Sequence, residues 1–380
     1  MFCAIQAAGQ RLEIVGMRVL QVIHNLGLAG AEVLTRDLIL GLTGRGIECE
    51  LYLLQSADSS LQRSLLAEGI RIHAPLQASV YSPLHVRALT THFGACSYDI
   101  VHVHLFPAQL WVALAARAIK VSARLVTTEH SAYNYRRRRV YRPMDHWIYA
   151  QYCRIACVSD ATAEALIEWL PEVAGKARTC PNGIHLKIFT NTPPGSKSAL
   201  FSLPETCPVI LSVGRMVHQK DHGTAIRALS VTPEAHLVLV GVGPELEKHR
   251  KLAQKLGVAH RVHFLGPRTD IPQLMKAANI FVQSSRFEGF GIAALEAMAS
   301  GLPVVASRVP GLAELVGEAG LLFEAGDHHQ LARHLNTLLS NEELLTRLAE
   351  RGKSRATAFS FDKTLDCYET LYRQVEIQAY

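Results

Sequence analysis

One rhythm occurs twice in this chain: short apolar runs alternate with stretches of helical periodicity, first over residues 18–128 and again over residues 209–306. The first series comprises Arg18–His24, Glu48–Leu54, Ile100–His104 and Arg124–Thr128, with helical patterns at Ala31–Leu42 and Pro107–Ile119. The second comprises Val209–Val213, Leu237–Val240, Val262–Leu265, Ile280–Gln283 and Pro303–Ala306, again with helices between. Short runs that stay apolar on both faces and are separated by helices are what a parallel sheet requires, because its crossovers cover it on both sides. The expected fold class is therefore α/β, with two Rossmann-like, doubly wound domains.

Between the two series, Asn191–Pro208 holds four prolines, one glycine and several Ser/Thr, without strand or helix periodicity, and reads as a linker. The expected division is an N-terminal domain over residues 17–188 and a C-terminal domain over residues 189–361. Residues 362–380 close the chain as an amphipathic helix carrying Leu365, Tyr368, Leu371, Tyr372 and Val375 at helical spacing. Residues 1–16 show little periodicity and are expected to form a loose extension. In open α/β sheets, ligands bind beyond the carboxyl ends of the strands, so two such domains facing one another would place a site in the cleft between them.

With 380 residues, 49% hydrophobic and 19% charged, the chain can bury a large core, which argues against disorder or a fibre. No apolar run reaches the roughly 18–20 residues of a membrane-spanning helix, and the first sixteen residues lack the pattern of a secretory signal, so the expected location is cytoplasmic. The eight cysteines are scattered without a C-x-x-C pair, as expected of reduced thiols. Net charge is +6, yet nine Arg/Lys against Glu129 and Asp145 fall between Arg117 and Arg154, which leaves the rest of the chain near neutral. A run of this kind is ordinarily a solvated face. Its functional reading is contact of Arg136, Arg137, Arg138 and Arg139 with an anionic membrane surface or an anionic acceptor; nucleic acid is disfavoured, since no binding motif or aromatic platform accompanies the run.

The most informative stretch runs from Ser284 to Pro303. It follows an apolar run and holds Glu288-Gly-Phe-Gly291 before a helix that Gly301 stops. Glycines allow close backbone approach, and free N–H groups at a helix start attract phosphate, so a diphosphate site at the start of this helix is the inference. Glu288 and Glu296 stand about 12 Å apart along the helix axis, too far for paired acid–base work on one bond, but suited to two ends of one extended ligand. Glu296 is flanked by Ala294, Leu295, Ala297 and Met298, which does not fit a solvated stripe. Upstream, Arg215 and Lys220 leave the first strand of the second domain at its carboxyl edge, where two cations could neutralise a departing diphosphate in place of a metal. His130 follows the strand ending Thr127-Thr-Glu129, a position from which it could touch a ligand. Gly27 and Gly30 permit a tight turn after the first strand. His102 and His104 share one side of a strand, but with no third ligand they do not make a metal site.

These residues resemble the retaining glycosyltransferases of the GT-B fold that carry a Glu-x7-Glu motif, the GT4-type group. The resemblance covers nearly all of the chain from Met17 and rests most on Glu288-Gly-Phe-Gly through Glu296-Ala-Met-Ala-Ser-Gly-Leu-Pro-Val-Val. Val213-Gly-Arg215, Gln219-Lys220, Gly30-Ala-Glu32, Val158-Ser-Asp160 and Pro181-Asn-Gly-Ile184 support it. It implies a GT-B fold in which the C-terminal helix crosses back to the N-terminal domain. By the same resemblance, Arg215 and Lys220 would bind the donor diphosphate, Glu288 the sugar hydroxyls and Glu296 the ribose. Backbone at Phe290, Gly291 and Ile292 would complete the donor site, Gly30 would let its loop approach the phosphates, and His130 would sit near the reactive carbon. The implied activity moves a sugar from a nucleotide diphosphate donor, UDP by frequency in the family, to a glycan or polyprenyl-linked acceptor in cell-surface polysaccharide synthesis, with no cofactor and no metal. The family often has Asp after Pro-Asn-Gly-Ile, where this chain has His185. The competing expectations are a nucleotide-sugar epimerase or phosphorylase of similar fold, and a non-catalytic nucleotide-sugar binder.

Overall fold

A computed structural model describes residues 16–377, apart from Leu28, Ala57, Leu76, Gln77 and Tyr135. The expected loose extension falls almost wholly outside the described residues. Among the described residues, thirteen strands form two sheets. The first contains β1 (Arg18–Ile23), β2 (Glu48–Leu53), β3 (Ile72–His73), β4 (Ile100–His104), β5 (Arg124–Glu129), β6 (Arg154–Cys157) and β7 (Ala177–Thr179), in the order β3-β2-β1-β4-β5-β6-β7. The second contains β8 (Val209–Val213), β9 (His236–Val240), β10 (Val262–Gly266), β11 (Ile280–Gln283), β12 (Val304–Ser307) and β13 (Leu321–Phe323), in the order β10-β9-β8-β11-β12-β13.

The pairings β1·β2, β1·β4, β8·β9 and β8·β11 are all parallel. Each sheet therefore reverses direction of growth at its first strand, between β1 and β4 and between β8 and β11, as doubly wound sheets do. Val19, Leu20, Val22 and Ile23 of β1 and Ile210 and Leu211 of β8 are buried, which is why these strands read as continuous apolar runs.

By compactness the chain divides into two units. One comprises residues up to Thr128 with 151–154 and from Tyr372 on; the other comprises 129–150 and 155–371. In the first unit, several buried strand polar groups pair with one another. The Tyr372 hydroxyl lies 2.6 Å from His102 Nδ1 and accepts from Gln21 Nε2 at 3.0 Å, His102 Nε2 meets Thr128 Oγ1 at 2.8 Å, and His104 Nε2 meets Gln21 Oε1 at 2.8 Å. The two histidines thus belong to a hydrogen-bonded network that holds Tyr372 beside the strands of the first unit. Such pairing offsets the cost of burying polar groups.

The linker reading needs one amendment. Residues Lys197–Phe201 form a short helix, capped by the Ser196 hydroxyl accepting from the Ala199 N–H at 3.3 Å. A single turn has too few residues to show periodicity, but Ser at the cap was a legible signal.

Candidate functional site

The second unit holds the densest group of sequence-selected residues. Its 214–221 loop follows β8 and its 284–291 loop follows β11, the neighbouring strands at the point of reversal. Several bonds clamp the two loops together. Arg286 N–H donates to the Gln219 carbonyl (2.8 Å), Gln219 Nε2 to the Phe287 carbonyl (3.1 Å), Ser284 Oγ to the Asp221 carbonyl (2.9 Å), and an ion pair joins Arg286 to Asp221 (3.0 Å).

Within this clamp, Lys220 Nζ donates to Glu288 Oε2 at 2.5 Å. The same oxygen accepts from Gln283 Nε2 at 2.8 Å and Ser285 Oγ at 3.2 Å. Three donors on one carboxylate oxygen fix its orientation. Arg215, by contrast, is exposed. One cation is locked into the site and the other is available to an incoming anion.

The helix Ile292–Ser300 begins directly after this loop. Its N-cap is Gly291 at φ 103°, with no side-chain cap and no acid in the first turn, so the first N–H groups lack a side-chain acceptor. A Cβ on Gly291 would lie 2.7 Å from Leu312 Cδ1, and Phe290 beside it is buried against Phe359, ring centroids 5.5 Å apart. The backbone path from 290 to 292 is therefore set by packing.

Glu296 lies one helical stretch on. Ala294, Leu295, Ala297 and Met298 around it are buried, and no hydrogen bond or ion pair reaches its carboxylate among the described residues. The side chain retains partial exposure, but its protein surroundings are apolar and desolvation pushes the carboxyl up to about 8. A carboxyl that binds its proton more tightly when folded stabilises the fold fully below the unfolded value near 4.5, and that stabilisation is lost as pH rises toward 8. Glu296→Gln should therefore leave thermal stability unchanged near pH 4.5 and raise it by roughly 3–6 °C at pH 8. A melting-temperature series from pH 4.5 to 8 checks this; parallel curves for the two proteins would contradict it.

His130 is partly buried immediately after β5, and its backbone buttresses the Glu288 loop: a Cβ at Gly289 would lie 2.2 Å from the His130 carbonyl oxygen. The Gly289 carbonyl accepts from Ser159 Oγ at 2.7 Å, while Ser159 also caps the helix Asp160–Trp169 by accepting from the Thr162 N–H at 3.1 Å. Gly311, at φ 78°, closes the other side, where a Cβ would lie 2.6 Å from the Gly289 carbonyl. Tyr133 stacks on Phe287 at 4.3 Å. Sequence reasoning quoted Val158-Ser-Asp160 but gave Ser159 no role, and it missed Gln283, Ser285, Gly289 and Gly311. Ser before an acidic helix start marked the cap; its bond to a carbonyl 130 residues away carried no local signal.

Pro181-Asn-Gly-Ile184 is a seat for the final helix. A Cβ on Gly183 would lie 2.5 Å from the Ser360 carbonyl, the Ile184 and Phe361 backbones bond at 2.9 Å, and Thr364 Oγ1 donates to the Pro181 carbonyl at 2.9 Å. His185, the departure from the family pattern, packs against Phe361 at 4.6 Å. In the first unit, Gly30 is exposed and opens the helix Gly30–Thr43 after β1; nearby Glu32 is buried, 3.7 Å from His24.

The arginine run divides. Arg136 is 2% exposed and ion-paired with Asp145, which also accepts from Trp169 Nε1 at 3.1 Å. Arg137 turns inward to the Ala132 carbonyl at 2.5 Å. Only Arg138 and Arg139 of the four are exposed, beside exposed Val140, Tyr141 and Arg142. An interaction surface at this run is thus narrower than the sequence implied, because burial of Asp145 draws one cation inside.

A family model described as Glycosyl transferases group 1 matches residues 198–355, and one described as Glycosyltransferase Family 4 matches residues 28–188. The lipopolysaccharide core biosynthesis glycosyltransferase LpsE of Rhizobium meliloti (strain 1021) is 38% identical over 173 residues, 45% of this chain and 51% of that one. A D-inositol 3-phosphate glycosyltransferase of Acidothermus cellulolyticus is 27% identical over 388 residues, covering 90% and 85%. The chain spans about half the length of the first curated relatives it matches. Among solved structures, Anabaena Alr3699/HepE in complex with UDP and glucose superposes with a TM-score of 0.82 at 23% identity, covering 93% of this chain and 99% of that one, a likeness of fold.

Proposed function

Because the chain belongs to the GT4-type glycosyltransferases of the GT-B fold, we propose that it transfers a sugar from a UDP-sugar to a glycan or lipid-linked acceptor of a cell-surface polysaccharide, retaining anomeric configuration without a bound metal. The observation that carries this reading is the Lys220–Glu288 pair at 2.5 Å beside the uncapped start of the helix Ile292–Ser300. Sugar hydroxyls suit Glu288, a diphosphate suits the helix start with Arg215 and Lys220, and ribose hydroxyls suit the unpartnered Glu296. The complex of HepE with UDP and glucose supports a uridine donor, and LpsE supports a cell-surface glycan as product.

In the proposed reaction the bond from the anomeric carbon to the β-phosphate oxygen breaks while an acceptor oxygen bonds to the same face. The acceptor proton passes to the departing phosphate. Charge accumulates on the diphosphate, where the exposed Arg215, Lys220 beside Glu288 and the helix dipole would stabilise it, so that cations of the chain would do the work that Mg²⁺ does elsewhere. His130 would stand beside the sugar. The exposed Arg138, Arg139 and Arg142, with Val140 and Tyr141, suit an anionic membrane surface presenting the acceptor.

One assay tests both parts. With EDTA present, a labelled UDP-sugar and a polyprenyl diphosphate-linked acceptor are supplied in anionic or neutral vesicles, and the product anomer is read by NMR. Retention with faster transfer on anionic vesicles is expected. An inverted product, an epimer formed without acceptor, or a free sugar phosphate would overturn the proposal; the two curated relatives named above are both glycosyltransferases.

A further inference from the structure

Cys180 and Cys367 are 187 residues apart in sequence, yet their sulfurs lie 2.7 Å from one another. Cys180 is buried in the segment after β7, and Cys367 is half-buried on the final helix, Phe361–Ile377. The approach is held from several points. Cys367 Sγ also lies 3.4 Å from the Thr179 carbonyl, Thr364 bonds to the Pro181 carbonyl one turn earlier, and Ile184 bridges to Ser360. Both partners are free thiols. The remaining described cysteines, at 49, 96, 153, 157 and 207, have no sulfur of another cysteine as a hydrogen-bond partner among the described residues.

We propose that Cys367 and Cys180 form a dithiol site that a hydroperoxide oxidises to an intramolecular cross-link between the final helix and the Pro181–Ile184 seat. Cys367, the accessible partner, acts as the thiolate: its sulfur attacks hydrogen peroxide, the O–O bond breaks, and the departing hydroxide takes up the proton that the Cys367 thiol released and leaves as water, with Cys367 now a sulfenic acid. The Cys180 sulfur then displaces the sulfenic hydroxyl, its proton leaving with that group as water. Two thiols lose two electrons, and the peroxide is reduced to two waters. The neighbouring Cys180 thiol holds the Cys367 thiol below its ordinary value, which fits these roles, whereas the hydrogen bond with Cys367, and then burial, push Cys180 up. The site closes against the helix that carries Tyr372 into the first sheet, so oxidation fastens the helix to the segment on which its first turns rest.

The test treats the folded protein with hydrogen peroxide, quenches with an alkylating agent and maps cysteine-containing peptides by mass spectrometry, with wild type compared to Cys180→Ser, Cys180→Ala and Cys367→Ser. The wild type should yield a 180–367 peptide pair lighter by two hydrogens and restored by dithiothreitol, forming roughly tenfold faster than modification of Cys207. In Cys180→Ser and Cys180→Ala, Cys367 should stop at a sulfenic acid that dimedone traps; in Cys367→Ser, Cys180 should stay reduced. Two serine or alanine variants at position 180 guard against one that fails to fold. Oxidation of Cys207 ahead of any 180–367 pair in the wild type, or no dimedone adduct at Cys367 in either folded position-180 variant, would overturn the proposal.

Discussion

Gly289→Ala is expected to lower kcat/KM by roughly 100-fold while leaving the far-ultraviolet circular dichroism unchanged. The methyl carbon would sit 2.2 Å from the His130 carbonyl oxygen and 3.1 Å from Ser131 Cα, both backbone atoms that cannot rotate away. Yielding on the other side is also blocked, because the Gly289 carbonyl is held by Ser159 Oγ and pressed by Gly311. The loop must then shift by a sizeable fraction of an ångström, carrying Glu288 with it, and overpacking of this kind costs about 1–3 kcal/mol of stability. Steady-state kinetics with a thermal melt check this. Activity within threefold of wild type would show that the loop relaxes without moving Glu288.

Lys220→Ala should cost still more, a fall in kcat of about 100- to 1000-fold, because it removes a preorganised cation from the position where diphosphate charge develops. Loss of structure is not the expected cause: Glu288 keeps Gln283 and Ser285 as donors, and the loop keeps its backbone bonds to Gln219 and Asp221. Lys220→Arg should recover only part of the rate, since a planar guanidinium cannot reproduce a point charge 2.5 Å from Glu288 Oε2. Pre-steady-state measurement of the transfer step separates this from slower product release. A variant with unchanged kcat and raised KM would assign Lys220 to ground-state binding instead.

The parts of this fold that a reader can extract from sequence are those encoded locally. β4, β8 and β11 appear as expected because each is a buried run bounded by turn residues, and the Glu288–Glu296 spacing is visible because one helix separates the two carboxylates. The strands β3 and β13, two and three residues long and only partly buried, are too short to show a pattern. Arg136 misleads for a different reason: a run of four arginines looks like surface, and nothing near it in sequence reveals that it is buried in an ion pair with Asp145, a carboxylate that Trp169 also bonds. Ser159, Gly289 and Gly311 converge from three separate segments, so their joint role in fixing Glu288 exists only after folding. The high proton affinity of Glu296 was half legible, in that its apolar neighbours were visible while the absence of a partner was not.

Donor binding is the claim on which the rest depends, and a thermal-shift panel of UDP, GDP and ADP with EDTA present measures it most directly. Binding to the folded state alone raises the melting temperature by mass action, by about 2.7 kcal/mol of stability at a hundredfold excess over Kd. UDP should raise the melting temperature of the wild type by several degrees, and that rise should be lost in Lys220→Ala. No shift with any of the three nucleotides, or an equal shift in wild type and variant, would contradict the assignment of this site to the donor diphosphate.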